Sequence, residues 1–285
     1  MLLKIKVPLH VSGIWIPRLT SDLKKSGSIG CGLNLELYVE LVDYILDNCF
    51  IELNNKIVLR DHSNYICRNT GLNMGVRLSS IVDLGVGYGV SSASTLIHAL
   101  ASSIILKKDL SLIEYAKLAH EAEVLYKTGL ADVISQYYGG VLIRIHPGAP
   151  GIGVVKNIDI QDNPVLLACI LSGDETTPIM LSRVDQSVYK YGENLLKELI
   201  KNPSLESLFE KSQLFTRRVF DYKQVDDLMR NWISKIPGFY RKKQALIIWC
   251  EREWCSDLRD YLEKHGLKCF KTSINKGGFR IVYST

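Results

Sequence analysis

No apolar run in this sequence is long enough to cross a bilayer as a helix. The longest nearly apolar stretch, 93–106, carries several serines and His98 and falls short of the roughly 20 residues that a span requires. The N-terminal segment, Met1-Leu-Leu-Lys-Ile-Lys-Val-Pro8, has no apolar signal-peptide core. Proline is sparse, at 8 residues of 285, and there is no Pro-rich linker, low-complexity tract or long block of one charge, which excludes the disordered classes. No internal repeat occurs at solenoid periods. Charge of one sign is also scarce in excess: 35 basic against 30 acidic residues give +5, enough to suit anionic small molecules but not to mark a nucleic-acid binder. The clusters Arg217-Arg218 and Arg241-Lys242-Lys243 lack interleaved aromatics and read as solvated helix faces and ends. The seven cysteines, Cys31, Cys49, Cys67, Cys169, Cys250, Cys255 and Cys269, are odd in number and have no CxxC spacing. That argues against a disulfide framework or a zinc site and for a reducing cytoplasm.

What the chain does have is a 47% hydrophobic content over 285 residues, enough for one large or two modest cores. Strands are expected over 33–41, 49–59 (turning at Asn54-Asn55), 77–84 and 141–145, and helices over 92–106, 110–126 and 131–137. Ser111 and Glu114 read as a capping box for the second helix, and Gly129 as its stop. The turn-rich stretch 146–153 is the expected boundary between domains at 1–150 and 151–285. Beyond it come a buried strand at 165–171 and helices at 184–200, 205–220 and 225–236. A strand at 245–250, a helix at 251–265 and strands at 268–274 and 279–283 complete the chain. Strands bracketing helices in this order make an α+β sandwich.

The stretch Gly85-Val-Gly-Tyr-Gly-Val-Ser-Ser-Ala93 links an expected strand to an expected helix. Glycines let backbone N–H groups converge, and a helix start adds unpaired N–H groups and a positive dipole end, so the segment is either a phosphate nest or merely a tight strand-to-helix turn. It is not a P-loop, because no lysine follows the glycines. It fits a Rossmann loop poorly, because the third glycine comes one residue early and the loop lies far from the N-terminus. The protein-kinase signature set is absent. Phosphoryl transfer needs a carboxylate and a hydroxyl for Mg²⁺ and a further carboxylate near the attacking hydroxyl. Ser91, Glu123 and Asp132 supply these if the fold brings them together. By spacing alone, Glu123 reads equally as a solvated helix residue and Asp132 as a helix N-cap.

The glycine stretch resembles the phosphate-binding motif of the GHMP kinases, and within that superfamily the archaeal pantoate kinase family, which writes it G-x-G-[FY]-G-x-S-x-A. The blocks Ala119-His-Glu-Ala-Glu-Val124, Thr128-Gly-Leu-Ala-Asp-Val133 and Gln136-Tyr-Tyr-Gly-Gly140, and the segments 7–13 and 26–35, are similar to that family too. Beyond residue 150 the likeness is thin. The resemblance implies a GHMP kinase fold: an N-terminal domain like ribosomal protein S5 domain 2 and a C-terminal ferredoxin-like α/β sandwich. It implies ATP- and Mg²⁺-dependent phosphorylation of (R)-pantoate to (R)-4-phosphopantoate in coenzyme A synthesis, by a cytoplasmic enzyme, expected as a homodimer, with no nucleic-acid or membrane partner. Carried over by motif, Gly85, Gly87, Tyr88, Gly89, Val90, Ser91, Ser92 and Ala93 would cradle the phosphates. Ser91 and Glu123 would hold Mg²⁺, and Asp132 would orient or deprotonate the acceptor hydroxyl. His10, Ser12 and Ser28 are candidate substrate contacts. The sequence departs from the family pattern at Leu9, Ile29, Ser92 and Ala131. With isoleucine at 29 where arginine is usual, Arg18, Lys24 or Lys25 are the alternatives for holding the substrate carboxylate. Another GHMP small-molecule kinase, or a catalytically weak nucleotide-binding regulator on the same scaffold, are the competing readings.

Overall fold

The computed structural model describes residues 2–106, 111–173, 180, 182 and 184–284. The chain opens on two long strands, β1 (Leu2–Arg18) and β2 (Gly27–Leu46), which pair antiparallel along most of their length. Residues 7–16 of β1 are all buried, because helices from both halves of the sequence pack against this strand. An uninterrupted buried stretch replaces the apolar–polar alternation of a one-sided sheet. Successive parts of β2 pair with β1, with β6 (Val141–His146) and with β5 (Met74–Ser80). The hairpin β3 (Phe50–Leu53) and β4 (Lys56–Val58) joins beyond β5. Its turn residues Asn54 and Asn55 both have positive φ, which suits asparagine.

Helix α1 (Arg60–Thr70) follows β4, and α2 (Val90–Leu106), α3 (Leu112–Leu125) and α4 (Asp132–Tyr138) follow β5. The expected strand 77–84 ends at Ser80, leaving 81–89 as loop. The expected start of α3 at Leu110 lies outside the described residues. Ser111 does sit at the N-cap, but its side chain makes no capping bond, and Glu114 instead pairs with Lys117 at 2.6 Å. The capping box is therefore not formed.

The second sheet has the order β11-β8-β10-β9, all neighbours antiparallel. Its strands are β8 (Val165–Ile170), β9 (Gly238–Lys242), β10 (Ala245–Cys250) and β11 (Lys268–Thr272). Helices α5 (Gln186–Lys201), α6 (Leu205–Thr216) and α7 (Lys223–Met229) fill the crossover from β8 to β9, and α8 (Cys255–Lys264) fills that from β10 to β11. This is the β-α-β-β-α-β ferredoxin-like arrangement. The expected helix 225–236 is shorter, ending at Met229 before a single 3₁₀ turn at 233–235. Two strands that come after the turn-rich stretch, β7 (Val154–Ile158) and β12 (Arg280–Ser284), pair in the first sheet, β7 on β6 and β12 on β1.

The cysteine reading needs correction. Cys49 is bonded to Cys67, and Cys169 to Cys269. The first bridge ties the segment entering β3 to α1. The second joins directly opposed residues of β8 and β11. Separations of 18 and 100 residues hid both pairs, since the packing of α1 in one case and the second sheet in the other, rather than local spacing, bring them together. The inference from cysteine spacing to a reducing compartment does not stand. Among the described residues no helix is long and apolar enough to cross a membrane.

Candidate active site

The glycine loop is anchored on three sides. The His10 N–H donates to the Tyr88 carbonyl at 3.0 Å, and the Gln136 side chain donates to the Gly89 carbonyl at 2.9 Å. The Gln244 and Ala245 N–H groups both donate to the Val86 carbonyl, at 3.1 and 3.0 Å. These donors lie on β1, on α4 and at the tip of the β9–β10 hairpin. With its carbonyls drawn into the protein, the loop is left to meet an anion through its N–H groups, as a phosphate nest does. Gly85, Gly87 and Gly89 all have positive φ. At Gly87 the demand is also steric, because a Cβ would lie 2.3 Å from the Lys242 carbonyl. The Tyr88 side chain points away from any ligand: it is buried, and its hydroxyl donates to the carbonyls of Cys169 and Leu246 at 2.9 and 2.8 Å. It is a peg between the halves, so only the backbone of Tyr88 is available to a phosphate. The Ala93 side chain is likewise buried.

Glu123, in the last turn of α3, is almost fully buried and so is not a solvated helix residue. Ser91 donates to its Oε1 at 2.6 Å and Ser92 to its Oε2 at 2.5 Å. His62, from α1, lies 3.2 Å from Oε1 and 2.7 Å from the Thr128 hydroxyl. A hydroxyl and a carboxylate this close are hard oxygen donors of the kind Mg²⁺ takes alongside phosphate oxygens. Asp132 opens α4 and is also buried. Its Oδ1 accepts from Ser12 Oγ at 3.4 Å and lies 3.6 Å from both His10 Nε2 and Lys242 Nζ. A Cβ on Gly129 would stand 2.6 Å from Glu123 Oε2 and 3.3 Å from Asp132 Oδ2, so the two carboxylates flank one small space that glycine keeps open.

Burial works to raise the Asp132 pKa, but Lys242, then His10, Arg144 and Lys243, outweigh it and hold the carboxyl below its ordinary range. Desolvation lowers His10 to about 3. Its ring is therefore neutral at physiological pH.

Two cavities open here. The larger, about 220 Å³, is walled by the glycine loop with Ser91 and Ser92, by apolar Leu59, Leu84 and Tyr126, and by Lys243. The smaller, about 30 Å³, is lined by Ser12, Trp15, Ser28, the 129–131 segment and Met180. Thr128, Asp132 and Lys242 line both and form their junction.

The fold thus gathers Ser91, Ser92, Glu123, Asp132, Ser12 and Ser28 around one space. His10 lines neither cavity and touches the site through Ser12 and Asp132. The alternative carboxylate holders line neither cavity: Arg18 pairs with Glu193, and Lys24 and Lys25 lie 3.5 and 3.7 Å from Glu121 and Asp22. Reading Arg241-Lys242-Lys243 as a solvated helix end was wrong. These residues end a strand and form its turn, and Lys242 and Lys243 are buried. The signal lay in Pro237-Gly238 and the strand 245–250 on either side, which leave room only for a short hairpin partner. Arg144 was missed as well. It is buried in β6, donates to the Ile14 carbonyl at 3.0 Å and to Ser135 Oγ at 3.3 Å, and its Nε has no partner among the described residues. A lone arginine within the apolar run Val141-Leu-Ile-Arg-Ile145 was its signature.

Comparison with known proteins decides the family. A family model described as GHMP kinases N terminal domain matches residues 56–140. Pantoate kinase of Methanocaldococcus jannaschii is 35% identical over 217 residues, 73% of this chain and 77% of that protein. Pantoate kinase of Thermococcus kodakarensis is 30% identical over 231 residues, 76% of each. The chain belongs to the pantoate kinase family of the GHMP superfamily. It is by that membership an ATP-dependent small-molecule kinase. A solved structure titled phosphotransferase related to CoA biosynthesis pathway superposes with a TM-score of 0.83 at 24% identity, covering 99% of both chains. This places the GHMP fold across the whole length, including the half where sequence likeness is thin.

Proposed function

We propose that this kinase transfers the γ-phosphoryl group of ATP to the 4-hydroxyl of (R)-pantoate, giving (R)-4-phosphopantoate for coenzyme A synthesis. The observation that carries the reading is the meeting of a larger and a smaller cavity at one buried, ionised carboxylate, Asp132. Nucleotide occupies the larger cavity, with its phosphates against the backbone of 85–93 and its base against Leu59, Leu84 and Tyr126. The acceptor occupies the smaller one, with Ser12 and Ser28 as polar contacts and Trp15 and Met180 as apolar walls. Trp15 Nε1 is buried without a partner among the described residues. Lys242 at the junction, and Arg144 behind it, give the region the positive potential that a hydroxy-acid carboxylate needs. The names of the relatives support pantoate as that acid.

Ser91 and Glu123 would hold Mg²⁺, whose contribution when bound is to neutralise charge on the phosphate oxygens. Asp132 orients the acceptor hydroxyl and takes its proton as the oxygen bonds to the γ-phosphorus. An unprotonated carboxylate is ready to do so at neutral pH. His10, neutral and bonded to Ser12 at 3.3 Å, fixes both Ser12 and Asp132. A coupled ADP-release assay with ATP, Mg²⁺ and pantoate tests the reading. Turnover with pantoate well above that with mevalonate or homoserine is expected. No turnover, or equal rates on all three, would overturn it.

A further inference from the structure

Lys242 belongs to the second sheet, yet its ammonium reaches into the site of the first. It lies 3.6 Å from Asp132 Oδ1 and 6.0 Å from the centre of the Trp15 ring. We propose that Lys242 is a catalytic residue of the phosphoryl transfer, contacting the transferring group from the C-terminal half of the chain. This rests on the reading of the site as a phosphoryl-transfer centre.

Three observations support it. The first is position. Whatever passes from one cavity to the other passes the residues lining both, and of Thr128, Asp132 and Lys242 only the lysine is cationic. The second is residual bonding capacity. A charge-assisted N–H···O bond closes to about 2.7–2.9 Å, so an ammonium at 3.6 Å from Asp132 is near its counter-ion without being bound tightly to it. Three donors on one nitrogen leave hydrogens for further oxygens. A buried lysine with so loose a partner is costly unless something else completes its shell. The third is mounting. The Lys242 carbonyl packs against Gly87, and the N–H groups of Gln244 and Ala245 donate to the Val86 carbonyl in the glycine loop. The Arg241 guanidinium donates to the Lys243 carbonyl at 3.0 and 2.7 Å and to the Asp221 carbonyl at 2.8 Å, which fixes the turn. One contact thereby sets both the phosphate loop and the ammonium that faces it.

The step balances as follows. The acceptor oxygen bonds to the γ-phosphorus, the bond from that phosphorus to the β–γ bridging oxygen breaks, and its electron pair leaves with ADP. The acceptor proton moves to Asp132. As Asp132 is neutralised, Lys242 keeps its proton and loses its counter-ion, so its attraction to the phosphoryl oxygens strengthens as the transfer proceeds. An interaction that grows towards the transition state raises kcat rather than binding.

The test compares Lys242→Met, Lys242→Arg and Lys242→Ala with the unaltered enzyme, on whichever hydroxy acid that enzyme phosphorylates best. Failure of the pantoate assignment would appear in the unaltered enzyme, and failure of this proposal only in the variants. Lys242→Met is expected to lower kcat by at least about 10²-fold, with KM for ATP within threefold. Lys242→Arg keeps the charge and should lose less. Lys242→Ala should regain at least tenfold in rate, saturably, with added n-alkylammonium ions, a rescue that a purely structural lysine would not give. A kcat for Lys242→Met within threefold of the parent overturns the proposal. So does a folded Lys242→Ala that amines leave inactive.

Discussion

At the scale of single residues, the site's chemistry is concentrated in charge that is buried and incompletely paired. Among the described residues Asp132 is the one carboxylate lining both cavities, so Asp132→Asn should lower kcat by about 10²-fold or more. ATP affinity, read by calorimetric titration, should change little; a variant with near-normal rates would remove Asp132 from its role. Gly129 is a sharper probe. Gly129→Ala puts a methyl group into the space between Glu123 and Asp132, where Mg²⁺ and the γ-phosphoryl group would lie. Turnover should fall at least tenfold, while melting temperature moves by only a few degrees. Which residues were legible beforehand follows from where their partners sit. Ser91, Glu123 and Asp132 could be named because they fall in compact blocks near one another in sequence. Lys242 could not, because its partner lies 110 positions upstream and nothing local distinguishes it from a surface lysine.

Among elements, the glycine loop and the β9–β10 hairpin act as one unit. The sequence made the loop look like a phosphate nest, and half of it is in fact a dock: the Val86 carbonyl and the Tyr88 hydroxyl both bond to the second sheet. Tyr88→Phe leaves two buried carbonyls without that donor and should cost about 1–2 kcal/mol, measurable as a lowered urea midpoint. Because the ring still fills its space, the loss should come with a raised KM for ATP if loop and hairpin loosen together. Elements with strong periodicity or strong punctuation, such as α2, α3, β6 and β10, were readable. Helix α1 was not, since its buried face is His62, Ser63, Ile66, Cys67 and Thr70, mostly polar and invisible to a hydrophobic pattern. Strand β9 was missed because it ends in charge, with Lys242 facing the site and Arg241 bonded to the Asp221 and Lys243 carbonyls.

For the whole molecule, acid sensitivity is built into the interior. Burial lowers His10 to about 3 and His98 to about 4, so between an ordinary histidine value near 6.5 and those values the unfolded chain takes up protons that the folded chain refuses. Stability therefore falls as pH drops from about 6.5 towards 4. Asp132, depressed below its ordinary value, adds a further loss at still lower pH. The unfolding free energy from urea titration should be lower at pH 4.5 than at pH 7 by a few kcal/mol, and a flat profile would contradict the burial of these rings. The α+β class and the ferredoxin-like order of the second half agree with the sequence reading. The placement of β7 and β12 in the first sheet was not foreseeable from patterns within either half. That pairing, Leu2 to Lys6 against Arg280 to Ser284, bears on synthesis. As the chain is made, one edge of β1 has no strand to cover it until residues 280–284 have been added. An uncovered edge is a template for stray strands, and contacts so distant in sequence form late. The nascent kinase should therefore be most prone to misassembly before 280–284 pair, and most dependent until then on whatever shields that edge.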